Sequence, residues 1–248
     1  MRTVKAIKCL TASVYLILNA CGHSAPPNSV GDGSWASEEY TGDLNPANFT
    51  DPDQYRDYIE QLEKDQEILS DKQKELYIEF FINKLTVWTN PNTGKRTFVK
   101  ACREAPKGCE KRAAYIVSNI YDYASEKDLD VSMALSIAWH ESRFNPFVKG
   151  PVGERGIFQI NPKARWGKET RFVYDKNYRN KCKKKLGSCQ KEVVHTALDL
   201  FSRCLVKCGN TFSALGLYNT GKCGGSSSYS KNVLKIYKEV NNYIEENS

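Results

Sequence analysis

Residues 131–142 place a carboxylic acid on an apolar helix face, the feature of this sequence with the most chemistry to offer. Ala134, Ile137, Ala138 and Glu141 recur three and four apart, so they share one face. Ser132, Ser136 and His140 form a narrow second stripe. Ionised carboxylates are rarely buried without a partner, so burial at Glu141 predicts a raised pKa. A carboxyl that keeps its proton near neutral pH is what cleaving a glycosidic bond requires. The competing reading pairs Glu141 with Arg143 or a distant Lys at a helix end. Asp130 is placed to cap this helix, and Asn145-Pro146 is expected to stop it, because proline disfavours α geometry in the residue before it.

The residues that follow decide between these readings. Glu141-Ser142-Arg143-Phe144-Asn145-Pro146 is succeeded by Gly153-Glu154-Arg155-Gly156-Ile157-Phe158-Gln159-Ile160-Asn161-Pro162, and later by Ala214-Leu215-Gly216-Leu217-Tyr218-Asn219-Thr220-Gly221. Together they resemble the catalytic signature of soluble lytic transglycosylases and goose-type lysozymes: E-S-x-F-N-P, a short spacer, G-x-x-G-L-M-Q, and A-x-x-Y-N-x-G. Three elements in the right order at plausible spacing are specific, where a lone Glu-Ser would carry nothing. The resemblance covers residues 111–225.

It implies a lysozyme-like enzyme that cleaves the β-1,4 bond between N-acetylmuramic acid and N-acetylglucosamine in peptidoglycan. In a lytic transglycosylase Glu141 would protonate the glycosidic oxygen. As carboxylate it would then take the proton of the muramic C6 hydroxyl, which closes on C1 and leaves a 1,6-anhydro end. Ser142, Gln159, Tyr218 and Asn219 are the candidates for orienting the sugar and stabilising the transition state. No cofactor or metal is implied. Two departures from the family pattern matter. Glu154 stands where a small residue is usual, and a second carboxylate there could serve a hydrolytic lysozyme as general base; the blander expectation is a surface ion pair with Arg155. Gly150 stands where the spacer usually has Ser, which bears on recognition of sugar substituents such as N-acetyl groups, and so on acetylated or deacetylated glycan. A third reading is a non-catalytic wall-binding lipoprotein, against which the presence of Glu141 counts. His140, adjacent to Glu141, points about 100° away on a helix and is expected to be structural.

These residues need a scaffold, and the periodicity predicts a mainly α fold with at most a small β element. Helices are expected over 111–127, 193–205, 212–219 (closed by Gly221) and 229–244. Residues 53–88 read as two helices with a break at Ser70-Asp71, packing on the catalytic domain. A turn-rich connection at 90–109 carries a possible strand at 96–99. The basic and aromatic segment 163–187 is either part of a glycan groove or a solvated loop. The expected organisation is a signal segment at 1–21, a linker at 22–52, a helical extension with its connecting loop at 53–110, and the lysozyme-like domain at 111–248.

The signal reading rests on a basic start and an apolar run too short to span a bilayer. Leu18-Asn19-Ala20-Cys21 resembles a bacterial lipoprotein cleavage box, implying a lipid anchor on Cys21 at the periplasmic face of a membrane; simple secretion after an ordinary cleavage is the other reading. The Gly-, Ser-, Pro- and Asn-rich stretch after it is expected to be a flexible tether. The net charge of +7 is uneven: residues 38–79 have 13 acidic and 4 basic side chains, and residues 80–248 have 15 acidic and 29 basic ones. A basic domain attracts an anionic polymer, and peptidoglycan with its peptide carboxylates fits. Nucleic acid is not supported, because no binding signature is present.

Nine cysteines in an exported chain permit disulfides. Spacing alone does not fix connectivity. The expected pairs are Cys102–Cys109 and Cys182–Cys189, each bounding a short Gly-containing loop, and Cys208–Cys223, leaving Cys204 free. The competing metal reading fails on pattern: Cys204 and Cys208 are one turn apart, with no C-x-x-C pair or nearby His to complete a set.

Overall fold

The computed structural model describes residues 52–248 apart from 104–107, 184, 186 and 226. The chain divides into two units after Asp51, and the second, Pro52–Ser248, is the one described. The expected signal segment, Cys21, and all of the expected linker except Pro52 lie outside the described residues. Among the described residues are ten α-helices and one two-stranded antiparallel sheet, in keeping with a mainly α, lysozyme-like fold.

Helix α1 runs unbroken over Pro52–Leu85, so the break expected at Ser70-Asp71 is absent. Neither residue forbids a helix as Gly or Pro would, and Lys-Gln-Lys-Glu follows them. Ser70 also shares a hydrogen bond with the Tyr121 hydroxyl, which anchors this turn to the body. The two ends of α1 have different surroundings. Tyr77, Phe81, Ile82 and Leu85 are buried, whereas Ile68 and Leu69 are each 64% exposed. Residues 86–88, expected as helix, belong instead to strand β1 (Thr86–Thr89), whose β-branched and aromatic side chains suit a pleated strand. It pairs with β2 (Arg96–Phe98), the strand expected near 96–99, with Thr86 opposite Phe98 and Thr89 opposite Arg96. The Asn90 side chain closes the hairpin by accepting from the amides of Asn92 and Thr93.

Next come α2 (Lys100–Arg103), α3 (Cys109–Glu126) and α4 (Val131–Ser142). Short helices α5 (Arg165–Glu169), α6 (Arg171–Tyr174) and α7 (Lys176–Cys182) lead through a 3-10 turn to α8 (Lys191–Cys208), α9 (Thr211–Thr220) and α10 (Ser227–Asn247). Helix α4 is the centre. It packs against α3 and α10, while α8 packs against α9 and α3, and the C-terminal half of α1 covers α3 and α10. Val117, Ile120, Leu135, Ile137, Ala138, Leu198 and Val233 meet there with no exposed surface. The two serines of the polar stripe of α4 are buried too, and are satisfied internally: Ser132 bonds the Tyr77 hydroxyl and Ser136 donates to the Ser132 carbonyl.

The expected cap forms, with the Asp130 carboxylate accepting from the Met133 amide at 2.9 Å. The expected stop falls earlier. α4 ends at Ser142 because Arg143 and Phe144 turn left-handed, φ 49° and 57°, before Asn145-Pro146 is reached. Phe144 is thereby folded against Phe81 and Trp139. The three expected disulfides are present: Cys102–Cys109 joins α2 to α3, Cys182–Cys189 joins α7 to the 3-10 turn, and Cys208–Cys223 joins the end of α8 to the chain beyond α9. Cys204 is free and buried.

Candidate active site

Glu141 occupies the last turn of α4 and opens on a cleft of about 950 Å³. The residue keeps some contact with solvent, yet its carboxyl is surrounded by protein. Burial pushes its pKa up, a hydrogen bond from the Tyr229 hydroxyl to Oε1 (2.7 Å) pulls it down, the negative charge of Glu154 raises it again, and the result is about 7. Burial dominates, as the sequence predicts for a carboxyl on an apolar face. The carboxyl is therefore divided between acid and base near neutral pH, the condition for a group that must give a proton and take one.

The loop after α4 folds into a small irregular lobe that faces Glu141. Arg155 bridges both Lys149 and Ile160 through the backbone. Two glycines of the G-x-x-G element are needed for backbone reasons, with φ 100° at Gly153 and 78° at Gly156. A Cβ on Gly156 would also lie 2.9 Å from Val193 of α8. The buried Gln190 side chain accepts from the Ile157 amide and fixes the lobe to the body. Gln159, with φ 46°, turns its side chain inward to donate to the Gly156 and Val148 carbonyls, while still lining the cleft.

The remaining residues singled out by the motifs divide into two sets. Glu154, Tyr218 and Asn219 line the cleft with Glu141 and Gln159. Ser142 does not line it. Its buried hydroxyl is within hydrogen-bond reach of the Ile157 and Ala138 carbonyls, at 2.8 and 3.2 Å, and so ties the lobe to α4. Tyr218 borders the cleft, but its hydroxyl donates to the Phe158 carbonyl at 3.0 Å. Burial, followed by the charge of Glu141, raises its pKa well above the ordinary phenol value, so it stays neutral. His140 packs edge-on to Tyr229 with ring centroids 4.9 Å apart, and burial and the nearby Arg143 lower its pKa, which suits the expected structural role.

The two departures from the family pattern are physically linked. A Cβ on Gly150 would lie 2.3 Å from Glu154 Oε2 and 2.9 Å from Gln159 Oε1. The Glu154 carboxylate thus occupies space that a side chain at position 150 would take. The expected surface ion pair with Arg155 does not form; Oε2 accepts from the Val152 amide instead, and among the described residues Glu154 has no ion pair.

Tyr229 and the α8 residues of the cleft carried no signal in the sequence. Tyr229, the only one among the described residues to hydrogen-bond Glu141 through its side chain, lies 88 residues away on α10. Leu200, Arg203, Cys204 and Lys207 form a cleft wall on one face of α8, whose other face is core. Of the basic and aromatic segment at 163–187, Trp166 reaches the cleft, while Phe172 is core and Tyr174 is exposed.

The body is helical, of lysozyme-like architecture, and its open cleft carries one buried acid and a second carboxylate. The comparison with known families agrees: residues 118–233 match the family described as the Transglycosylase SLT domain, the class of lytic transglycosylases and lysozyme-like proteins. The match runs from α3 to α10 and includes Glu141, Glu154, Gln159, Tyr218, Asn219 and Tyr229. It supports a transglycosylase-type activity on peptidoglycan in general terms. No curated protein and no solved structure matches the chain.

Proposed function

We propose that this protein is a peptidoglycan lytic transglycosylase in which Glu141 is the single general acid and base. The observation that carries the reading is the Glu141 carboxyl, buried at the cleft with its pKa raised by that burial, inside the segment that matches the transglycosylase family. Protonated Glu141 gives its proton to the oxygen linking N-acetylmuramic acid to N-acetylglucosamine, and the C1–O bond breaks. The carboxylate left behind accepts the proton of the muramic C6 hydroxyl as that oxygen bonds C1. The carboxyl is restored, and the products are a free 4-hydroxyl and a 1,6-anhydro end. Gln159 and Asn219 contact the sugar from the cleft wall. Ser142 and Tyr218 act through the lobe, holding the Ile157 and Phe158 carbonyls in place. On this reading the protein is exported and held at a membrane by a lipid on Cys21. No helix among the described residues is long and apolar enough to cross a membrane.

One observation favours a second reading. Glu154 presents a carboxylate to the same cleft, close enough to raise the Glu141 pKa. A water held there would make the protein a hydrolytic lysozyme, on acetylated or deacetylated glycan, with Glu154 as base. Mass spectrometry of fragments released from peptidoglycan sacculi separates the two. The expected products lack one water at the muramic end; intact reducing ends would establish the hydrolase. Glu141→Gln is expected to abolish release of either product, and activity surviving that change would overturn the assignment. No product from acetylated or deacetylated sacculi would leave a wall-binding protein without catalysis.

A further inference from the structure

The wall of the cleft formed by α8 has a chemistry that acid–base catalysis at Glu141 does not use. Arg203 and Lys207 lie one turn apart on the face of α8 that lines the cleft, with Cys204 between them. The Arg203 guanidinium rests 4.5 Å from the centre of the Trp166 ring, which lines the cleft as well. Stacking on an aromatic face occupies the flat side of a guanidinium and leaves its edge donors pointing outward, in the fork that matches a carboxylate.

The neighbouring carboxylates do not take up this charge. Glu169 pairs with Arg165, on α5 itself, at 2.9 Å. Asp199, one turn before Arg203, accepts from the Tyr123 hydroxyl at 2.9 Å, and Glu192 accepts from the Arg171 amide. These three acids line a separate hollow on the other side of Trp166. Among the described residues, neither Arg203 nor Lys207 has an acidic partner. On this wall positive charge faces the cleft and the acids of the wall face the separate hollow, with Trp166 between them; the carboxyls of Glu141 and Glu154 line the cleft from other elements, α4 and the lobe.

We propose that Trp166, Arg203 and Lys207 form a carboxylate subsite that binds the peptide stem of the glycan strand. This rests on the reading of the cleft as a peptidoglycan site. Each muramic residue bears at C3 a lactyl group, to which the stem is joined as an amide, so in an intact strand the anionic groups belong to the peptide. An enzyme with this wall favours strands that keep their stems.

The test compares two substrates, sacculi with intact stems and the same glycan after an amidase has removed the stems and left lactyl carboxylates. Each is digested by the wild-type protein, by Arg203→Gln/Lys207→Gln and by Arg203→Lys. The wild type is expected to show a KM roughly tenfold lower on stem-bearing strands, the size of a hydrogen-bonded charge pair. The double variant loses that preference, and Arg203→Lys, which keeps the charge but not the fork, retains part of it. Raising the salt concentration shrinks the preference in the wild type and not in the double variant. Lys207→Gln alone, an exposed substitution, keeps the test available if the double variant does not fold. Equal wild-type KM values on both substrates, or an unchanged preference in the double variant, would overturn the subsite while leaving the enzyme intact. A preference for stripped strands, lost in the double variant, would assign the wall to the lactyl carboxylate and overturn the stem proposal. Failure of the wild type to cleave either substrate would instead defeat the peptidoglycan reading beneath it.

Discussion

Burial lifts the Glu141 carboxyl, Tyr229 opposes the lift with its hydrogen bond, and Glu154 adds to it through its charge. The two neighbours can be removed separately, and the signs differ. Tyr229→Phe deletes a bond that favours the carboxylate, so the pKa should rise and the alkaline limb of kcat/KM should move to higher pH. Glu154→Gln deletes a negative charge, so the same limb should move to lower pH. Profiles of both variants that moved in one direction would refute this electrostatic account. Stability gives an independent reading of the same group. A carboxyl raised from 4.5 to about 7 on folding gives stability that is present below its unfolded pKa and lost as pH rises through the folded one. Glu141→Gln keeps a neutral side chain at every pH. It should match the wild type at pH 4 and exceed it at pH 8, by up to about 3 kcal/mol, when thermal unfolding is followed at both. Glu141 itself was legible from its spacing on α4, because helix periodicity is local. Tyr229 was not, because nothing in the sequence around it signals a contact 88 residues away.

Elements were legible where their own residues decide them and not where their neighbours do. α3, α4, α8, α9 and α10 follow from apolar spacing and caps, and the left-handed Gly221 closes α9 as expected. The continuity of α1 depends on its docking to α3, through Ser70 with Tyr121 and Lys74 with Asp122, which its own sequence does not reveal. The lobe after α4 is similar: the glycines announce unusual backbone, but its attachment to Gln190 and Tyr218 is tertiary. α1 also makes its energetics testable within one helix. Leu85→Ala removes a side chain with no exposed surface and should cost about 2–5 kcal/mol in urea unfolding. Leu69→Ala, the same change at a position 64% exposed, should stay within about 0.5 kcal/mol. Equal losses at the two sites would mean that the outer half of α1 is covered in solution.

Charge separates the chain more sharply than its fold does, with 9 more acidic than basic side chains over residues 38–79 and 14 more basic than acidic over 80–248. The acidic part includes the exposed half of α1; the basic part contains the whole cleft. A long-range field of this kind raises the local concentration of an anionic polymer but does not choose a bond to be cut; in the proposed mechanism that choice falls to the geometry around Glu141. The two contributions can be separated with Glu141→Gln, which keeps the charge of the cleft wall while removing turnover. Its binding to sacculi, measured by co-sedimentation, should weaken several-fold as salt shrinks the Debye length from about 30 Å at 0.01 M to about 3 Å at 1 M. Residual binding at high salt would then report the uncharged contacts proposed for the cleft itself, those of the sugar to Gln159 and Asn219. Binding indifferent to salt would mean that those contacts suffice, and that the basic surface serves something other than capture of the wall.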